Sequence, residues 1–126
     1  MTIAFYLGWL IAAVLVVIGL YALFDPHALA RHYGVAVEGE REKGFVRATG
    51  IRDVAIGVVL AATAHYRVLP LLIVLAVVGV VVSLSDLWVV ARHGGHRRLH
   101  TAHAIHASGV VAFLLIIAMA LFAIGR

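Results

Sequence analysis

Long apolar runs separated by short polar links dominate the pattern of this 126-residue sequence. Residues 3–24 contain no charged side chain, and further apolar runs cover about 45–64, 68–91 and 101–124. At ~1.5 Å per residue, a helix of ~20 residues crosses the ~30 Å hydrocarbon core of a bilayer. The pattern therefore predicts an all-α fold, a four-helix transmembrane bundle that forms a single domain over residues 1–126.

The link between the first two runs predicts a short interfacial helix followed by a loop. In DPHALARHYG, Asp25 is a suitable N-cap, Pro26 suits the first helical position and Gly34 is a typical C-terminal stop. The next ten residues, VAVEGEREKG, have mixed charge and predict a solvated loop over 35–44.

The other two links are shorter. Only residues 65–67 separate the second run from the third, which predicts a tight antiparallel hairpin. Pro70 falls in the first turn of the third helix, where its missing N–H does least harm. Gly94 and Gly95 predict a turn before the fourth helix.

The composition supports a membrane protein. The chain is 64% hydrophobic and 13% charged, whereas soluble domains are about 45–50% apolar and about 25% charged. It has no cysteine, which excludes disulfides and thiolate chemistry. The basic residues flank apolar runs, so the isoelectric point near 10.1 indicates membrane topology and not nucleic-acid binding.

The distribution of basic residues predicts an orientation. The first run lacks a basic segment before it and a cleavage site after it, so we expect it to remain as a helix. The positive-inside rule then predicts a multi-pass protein of the bacterial plasma membrane, with both large loops cytoplasmic and both termini outside. The basic residues on the predicted cytoplasmic side are Arg31, Arg41, Lys43, Arg47, Arg92, Arg97 and Arg98, against Arg67 and Arg126 on the other.

Polar side chains interrupt all four runs at similar depth: the aspartates and histidines lie ~8–12 Å from the predicted cytoplasmic surface, and Arg52 and Tyr21 are slightly shallower. An ionised group in hydrocarbon costs about 2.5–3.5 kcal/mol, so these groups should be paired or wet. We therefore expect an Arg–Asp network that bridges the second and third runs. The residues concerned are Tyr21, Arg52, Asp53, Asp86, His103 and His106.

Two helical stripes indicate which faces meet protein. Small residues on such stripes let neighbouring backbones approach closely. The aspartates on them should therefore face protein and not lipid. The stripes are Arg47–Gly50–Asp53–Gly57 in the second run and Gly79–Ser83–Asp86 in the third.

The leading functional hypothesis is an acid–base enzyme, of isomerase, cyclase or epoxide-opening type, acting on a lipid or lipophilic small molecule. Asp53, Asp86, His103 and His106 are the candidate catalytic residues. Arg52 would orient a carboxylate or bind developing negative charge. The further ligand-binding candidates are Arg47, Tyr21 and Ser83.

Two alternatives remain open: a small transporter, or a non-catalytic accessory subunit in which the charges form a structural ion-pair clamp. Expected partners are the membrane and the ligand, with a homo-oligomer as an option and nucleic acid excluded. The histidine row at His93, His96 and His100 equally suits contact with lipid headgroups. His100, His103 and His106 spread over ~120° of one helix, which disfavours a metal site, and we expect neither metal nor cofactor.

The stretch FDPHALARHYGV and the later RATGIRDVAIGVVL resemble a family of small four-helix membrane proteins that is defined as a domain of unknown function. The similarity rests on Arg47, on Gly50-Ile51-Arg52-Asp53 and on Gly57. A looser likeness is to DoxX-type four-helix proteins. The resemblance implies the four-span bundle and no activity.

Overall fold

A computed structural model describes residues 2–32, 37–93 and 99–125 of the protein. The regular secondary structure in these ranges is entirely helical. Five helices follow one another in the described residues. They are α1 (Thr2–Phe24), α2 (Pro26–His32), α3 (Glu40–His65), α4 (Leu69–His93) and α5 (Leu99–Ile124). The predicted stop at Gly34, the turn at Gly94 and Gly95, and the basic residues Arg97, Arg98 and Arg126 lie outside the described residues, as do His96 and the side chains of His93 and His100.

Three of these helices are long and apolar enough to cross a membrane: Thr2–Phe24, Leu69–Arg92 and Thr101–Ile124. The all-α prediction is confirmed, and by their length and composition these three helices support the prediction of a membrane protein. Helix α3 is of similar length but carries Arg47, Arg52 and Asp53, which sets it apart from the other three.

Helix α2 forms where its caps predict. The side chain of Asp25 accepts a hydrogen bond from the backbone N–H of Ala28 at 2.9 Å, and Pro26 occupies the first helical position. Leu29 and Ala30 are buried, so the helix also covers part of the protein interior.

The start of α3 corrects the sequence prediction. Residues 40–44, expected as part of a loop, form its first turn. Glu40 and Glu42 favour a helix start because they lie at the positive end of the helix dipole. Lys43 forms an ion pair with Glu40, and its hydrogen bond lowers the pKa of that carboxyl group. These local interactions within one turn outweigh the polar character that suggested a loop.

The turn between α3 and α4 is as tight as predicted. Tyr66 caps α3, and the N–H of Val68 reaches back to the carbonyl of Thr63 at 3.1 Å. Arg67 has a φ of 54°, the left-handed conformation that closes a Schellman motif. The hairpin is therefore defined by backbone hydrogen bonds within the turn itself.

The helices associate as two pairs. Helix α1 packs mainly on α3, and α4 mainly on α5, with fewer contacts between the pairs. The α1–α3 contact is close because small residues meet there, as predicted for the glycines of α3. A Cβ built at Gly50 would lie 2.7 Å from the carbonyl oxygen of Gly19, and one at Gly57 would lie 2.9 Å from that of Ala12.

The two ends of the bundle differ in packing. We call the end that carries α2 the α2 end, and the end that carries the chain termini and the Tyr66–Arg67 turn the terminal end. The main apolar core fills the terminal end, where Leu60, Leu72 and Ile116 are fully buried. At the α2 end, the buried apolar residues include Ala22, Leu29, Ala30 and Val90, which do not belong to this core.

Replacement of Gly50 by alanine should destabilise the protein. The new methyl group would collide with the backbone of α1, and such overpacking costs about 1–3 kcal/mol. Gly44→Ala is the matched control on the same helix, because a Cβ there meets nothing within 4 Å. Thermal unfolding in detergent should place G50A well below G44A. Equal unfolding temperatures would contradict the close contact.

Candidate functional site

A cavity of about 480 Å³ lies between the two helix pairs, and all five helices contribute to its wall. Its size is within the ~300–1,000 Å³ of small-molecule sites. On one wall, Gly79 allows the ring of Phe113 to pack against it, since a Cβ there would lie 2.5 Å from the ring atoms. Phe113 also belongs to the apolar core, so the cavity adjoins that core.

Most of the cavity wall is apolar. This surface is formed by leucine, isoleucine and valine side chains of α1, together with residues of α2, α3, α4 and α5. Among them are Leu7, Leu10, Ile11, Val14, Leu15, Ile18, Leu29, Val46, Ile56, Val82, Val89, Val90 and Ile105.

The polar part of the wall comes from α3, α4 and α5. Asp53, Asp86, Ser83 and His106 all line the cavity, as the sequence analysis expected of residues at matched depth. Thr49 and Ser108 line it too, although their hydroxyl groups donate to carbonyl oxygens of their own helices. Charged and apolar surfaces therefore meet in one partly open cavity.

Arg52 connects the two aspartates. Its Nη2 donates to Oδ2 of Asp86 at 3.0 Å and its Nη1 to Oδ1 at 3.4 Å, a two-pronged contact between α3 and α4. Its Nε and Nη2 donate to Oδ1 of Asp53 at 3.1 and 3.0 Å. The Arg–Asp network predicted between the second and third apolar runs is confirmed.

Arg52 is not part of the cavity wall, whereas both aspartates that accept its hydrogen bonds are. Four of the five N–H donors that an arginine carries are used in these bonds. Asp53 is the more covered of the two carboxylates, with its side chain 13% exposed against 28% for Asp86.

Histidines of α5 complete the polar region. His106 lies close enough to Asp86 and Arg52 to interact with their charges, and His103 is near His106. His103 is half-buried but does not line the cavity. Within the described part of the chain, no three His, Asp or Glu side chains are grouped so that they could hold a metal ion.

Two candidate ligand-binding residues lie away from this site. Tyr21 is 40% exposed, Arg47 is exposed, and neither lines the cavity. Arg47 belongs to the predicted stripe of α3. The two glycines of that stripe, Gly50 and Gly57, pack against α1, and of its four residues Asp53 alone lines the cavity. The stripe of Gly79, Ser83 and Asp86 lines the cavity along its length.

Sequence reasoning did not find the apolar wall or Phe113. Residues such as Val14 and Val82 look the same in sequence whether they face a cavity or lipid. The one available signal was the pair Gly79 and Gly109, whose lack of a side chain brings α4 and α5 close: a Cβ at Gly109 would lie 2.9 Å from the hydroxyl of Ser83.

The comparisons with known proteins identify the family. A family described as a domain of unknown function (DUF4267) matches residues 12–121. The chain belongs to this family. The matched segment contains every cavity residue named above except Leu7, Leu10 and Ile11. The family description assigns no activity. No curated protein and no solved structure matches the chain.

Replacement of Arg52 should lower the free energy of unfolding more than the loss of its bonds to one aspartate alone, because both carboxylates lose their cation. Arg52→Gln leaves two carboxylates facing each other without a cation, and breaking a buried pair costs up to about 3–5 kcal/mol. Because the Arg52 side chain is 36% exposed, we expect about 2 kcal/mol. Thermal unfolding in detergent measures the effect.

A second substitution distinguishes this effect from simple loss of a side chain. Adding Asp86→Asn to Arg52→Gln removes one uncompensated charge and should recover part of the stability. Arg47→Gln, on the same helix but exposed, is the control and should be close to wild type. A double variant less stable than Arg52→Gln would argue against the ion pair.

Proposed function

We propose that this protein spans the membrane four times and binds a lipophilic small molecule in the cavity, where Asp53 and Asp86 act on it by acid–base chemistry. The observation that carries the proposal is the coexistence, in one cavity of about 480 Å³, of an apolar wall and two carboxylates held by one arginine. Charged groups inside a membrane protein are costly and are commonly functional.

The surface of α3 supports a fourth span. Its outward side presents Ile51, Val58 and Val59, which are 60%, 56% and 46% exposed. Helix α3 lies antiparallel along α1, with Gly50 near Gly19 and Gly57 near Ala12. A helix with apolar residues outside and charges turned toward its neighbours is compatible with lipid, although its average composition is more polar than that of α1.

In the proposed chemistry, one of the two aspartates donates a proton to the substrate and the other removes a proton. In epoxide opening, one of the two ionised aspartates first takes up a proton from water, and it gives that proton to the ring oxygen as the C–O bond breaks. The other aspartate takes a proton from water as the water oxygen bonds to carbon, and the product is a diol. Isomerisation or cyclisation uses the same pair: one proton is added to a carbon of a double bond, and another is removed from a carbon next to the cationic centre, where a new double bond forms.

Arg52 has a positioning role in this scheme. Its bonds to Asp53 and Asp86 fix both carboxylates on the wall, so that the carboxylates contact the ligand. His106, which lines the same cavity within electrostatic range of Asp86, would exchange protons with it after turnover. These roles replace the direct contact between Arg52 and ligand that the sequence suggested.

A structural clamp is the second candidate, because the same bonds join α3 to α4 and would stabilise the bundle without any ligand. Transport by a single chain has less support. Leu60, Leu72 and Ile116, which are fully buried near the terminal end, are not part of the cavity wall, so no continuous path through the bundle supports transport.

Turnover tests the enzyme proposal directly. Protein in proteoliposomes is incubated with a panel of lipophilic epoxides and alkenes in water enriched in deuterium and ¹⁸O, and products are analysed by mass spectrometry. We expect products labelled from water, and a loss of about 10²–10⁴-fold in Asp53→Asn and Asp86→Asn. Asp25→Asn, whose amide still caps α2, is the charge control and should keep full activity.

The outcome separates enzyme from clamp. If both cavity variants fold and turn over substrate at the wild-type rate, the aspartates are not catalytic. If no labelled product forms with the wild type and both variants unfold at lower temperature, the structural clamp is the better account.

Topology is testable because the chain has no cysteine of its own. The described basic residues Arg31, Arg41, Lys43 and Arg92 lie at the α2 end, which the positive-inside rule assigns to the cytoplasm of a bacterial plasma membrane. A single cysteine in place of Gly125 should react with a membrane-impermeant maleimide on intact spheroplasts. One in place of Glu38 should react only after permeabilisation, and the reverse pattern would contradict the orientation.

A further inference from the structure

The charges at the cavity do not balance. Asp53 and Asp86 contribute two negative charges, and Arg52 contributes one positive charge. With histidine counted as neutral, the formal charge of this group is −1. Among the residues that the structure describes, no lysine or arginine lines the cavity wall.

Among the described residues, Arg52 is the cation bonded to these carboxylates, and its donors are already in use. It makes four hydrogen bonds to the two carboxylates and is not part of the cavity wall. A ligand carboxylate would have to displace one of these bonds and would stand next to both aspartates. Inside a low-dielectric site, such like-charge proximity is strongly unfavourable.

We propose that the cavity selects lipophilic ligands that carry or develop positive charge at the Asp53–Asp86 wall and rejects anionic lipophiles such as fatty acids. The proposal rests on the ligand site proposed above and specifies its substrate class. The apolar wall formed by α1 holds the hydrocarbon part, and the carboxylates supply the missing countercharge.

This selectivity agrees with the chemistry assigned to the site. When an epoxide opens or a polyene cyclises under acid catalysis, positive charge develops on carbon. A carboxylate beside that carbon stabilises the charge as it forms, so the site is complementary to the transition state. A stable lipophilic ammonium ion imitates this charge and should bind for the same reason.

Three probes with one hydrocarbon cage test the proposal: 1-adamantylamine, 1-adamantanol and 1-adamantanecarboxylic acid. At pH 7 the amine is a cation, the alcohol is neutral and the acid is an anion. Binding is measured by equilibrium dialysis to protein in nanodiscs of neutral phosphatidylcholine, with empty nanodiscs subtracted. We expect affinity in the order amine, alcohol, acid, with at least a tenfold difference between amine and acid.

Two variants assign the preference to the cavity charge. Asp86→Asn brings the formal charge of the group to zero, so it should lower amine affinity about tenfold and leave the affinity for the alcohol within twofold. Asp53→Asn should act in the same direction. Asp25→Asn, outside the cavity, is the matched control and should keep the wild-type order.

A variant that fills the cavity distinguishes two outcomes: that the charge selectivity is wrong, and that the proposed ligand site does not exist. Ala112→Phe adds a ring at a partly buried position of the cavity wall without changing charge, and it should weaken all three probes. If the acid binds as tightly as the amine while Ala112→Phe still weakens binding, the charge selectivity is wrong and the ligand site stands. If no probe binds above empty nanodiscs, or Ala112→Phe has no effect, the ligand site itself is overturned.

Discussion

The ion pair between Arg52 and Asp86 is the constraint on which the rest of this structure depends. Helices α1 and α3 form one closely packed pair and α4 and α5 the other, and few contacts join the pairs. At the terminal end, the Tyr66–Arg67 turn and the apolar core hold them together. At the α2 end, the guanidinium of Arg52 provides a polar connection from α3 to α4, and the cavity remains between them.

The same interaction explains how charged groups can exist in so apolar a chain. Each carboxylate faces a cation at hydrogen-bonding distance, which offsets the cost of placing it among apolar helices. Yet both carboxylates also reach the cavity wall, which a pair buried only for stability does not require. This double exposure, to Arg52 on one side and to an apolar space on the other, is the physical basis for assigning the cavity a chemical role.

Much of this arrangement could be predicted from the sequence. Apolar runs predicted the long helices, Asp25 and Pro26 predicted α2, and the cost of buried charge predicted the network of Arg52, Asp53 and Asp86. The extension of α3 to Glu40 could not be read from polarity, because it depends on local helix-end interactions. The apolar cavity wall could not be predicted either, since a valine that faces lipid and one that faces a void have the same sequence signature. Whether a given valine faces lipid or the cavity depends on which helices pack against each other.

A solid-state NMR distance measurement in lipid bilayers tests the central claim most directly. The chain has three aspartates, so carboxyl-¹³C aspartate and guanidino-¹⁵N arginine labels give few signals, and Asp86→Asn assigns one of them. The structure predicts strong dipolar coupling of Asp86 to arginine, because Nη2 and Oδ2 are 3.0 Å apart, and similar coupling of Asp53. If the Asp86 carboxyl signal shows no coupling to any arginine nitrogen, the bridge between the helix pairs is absent and the account is wrong.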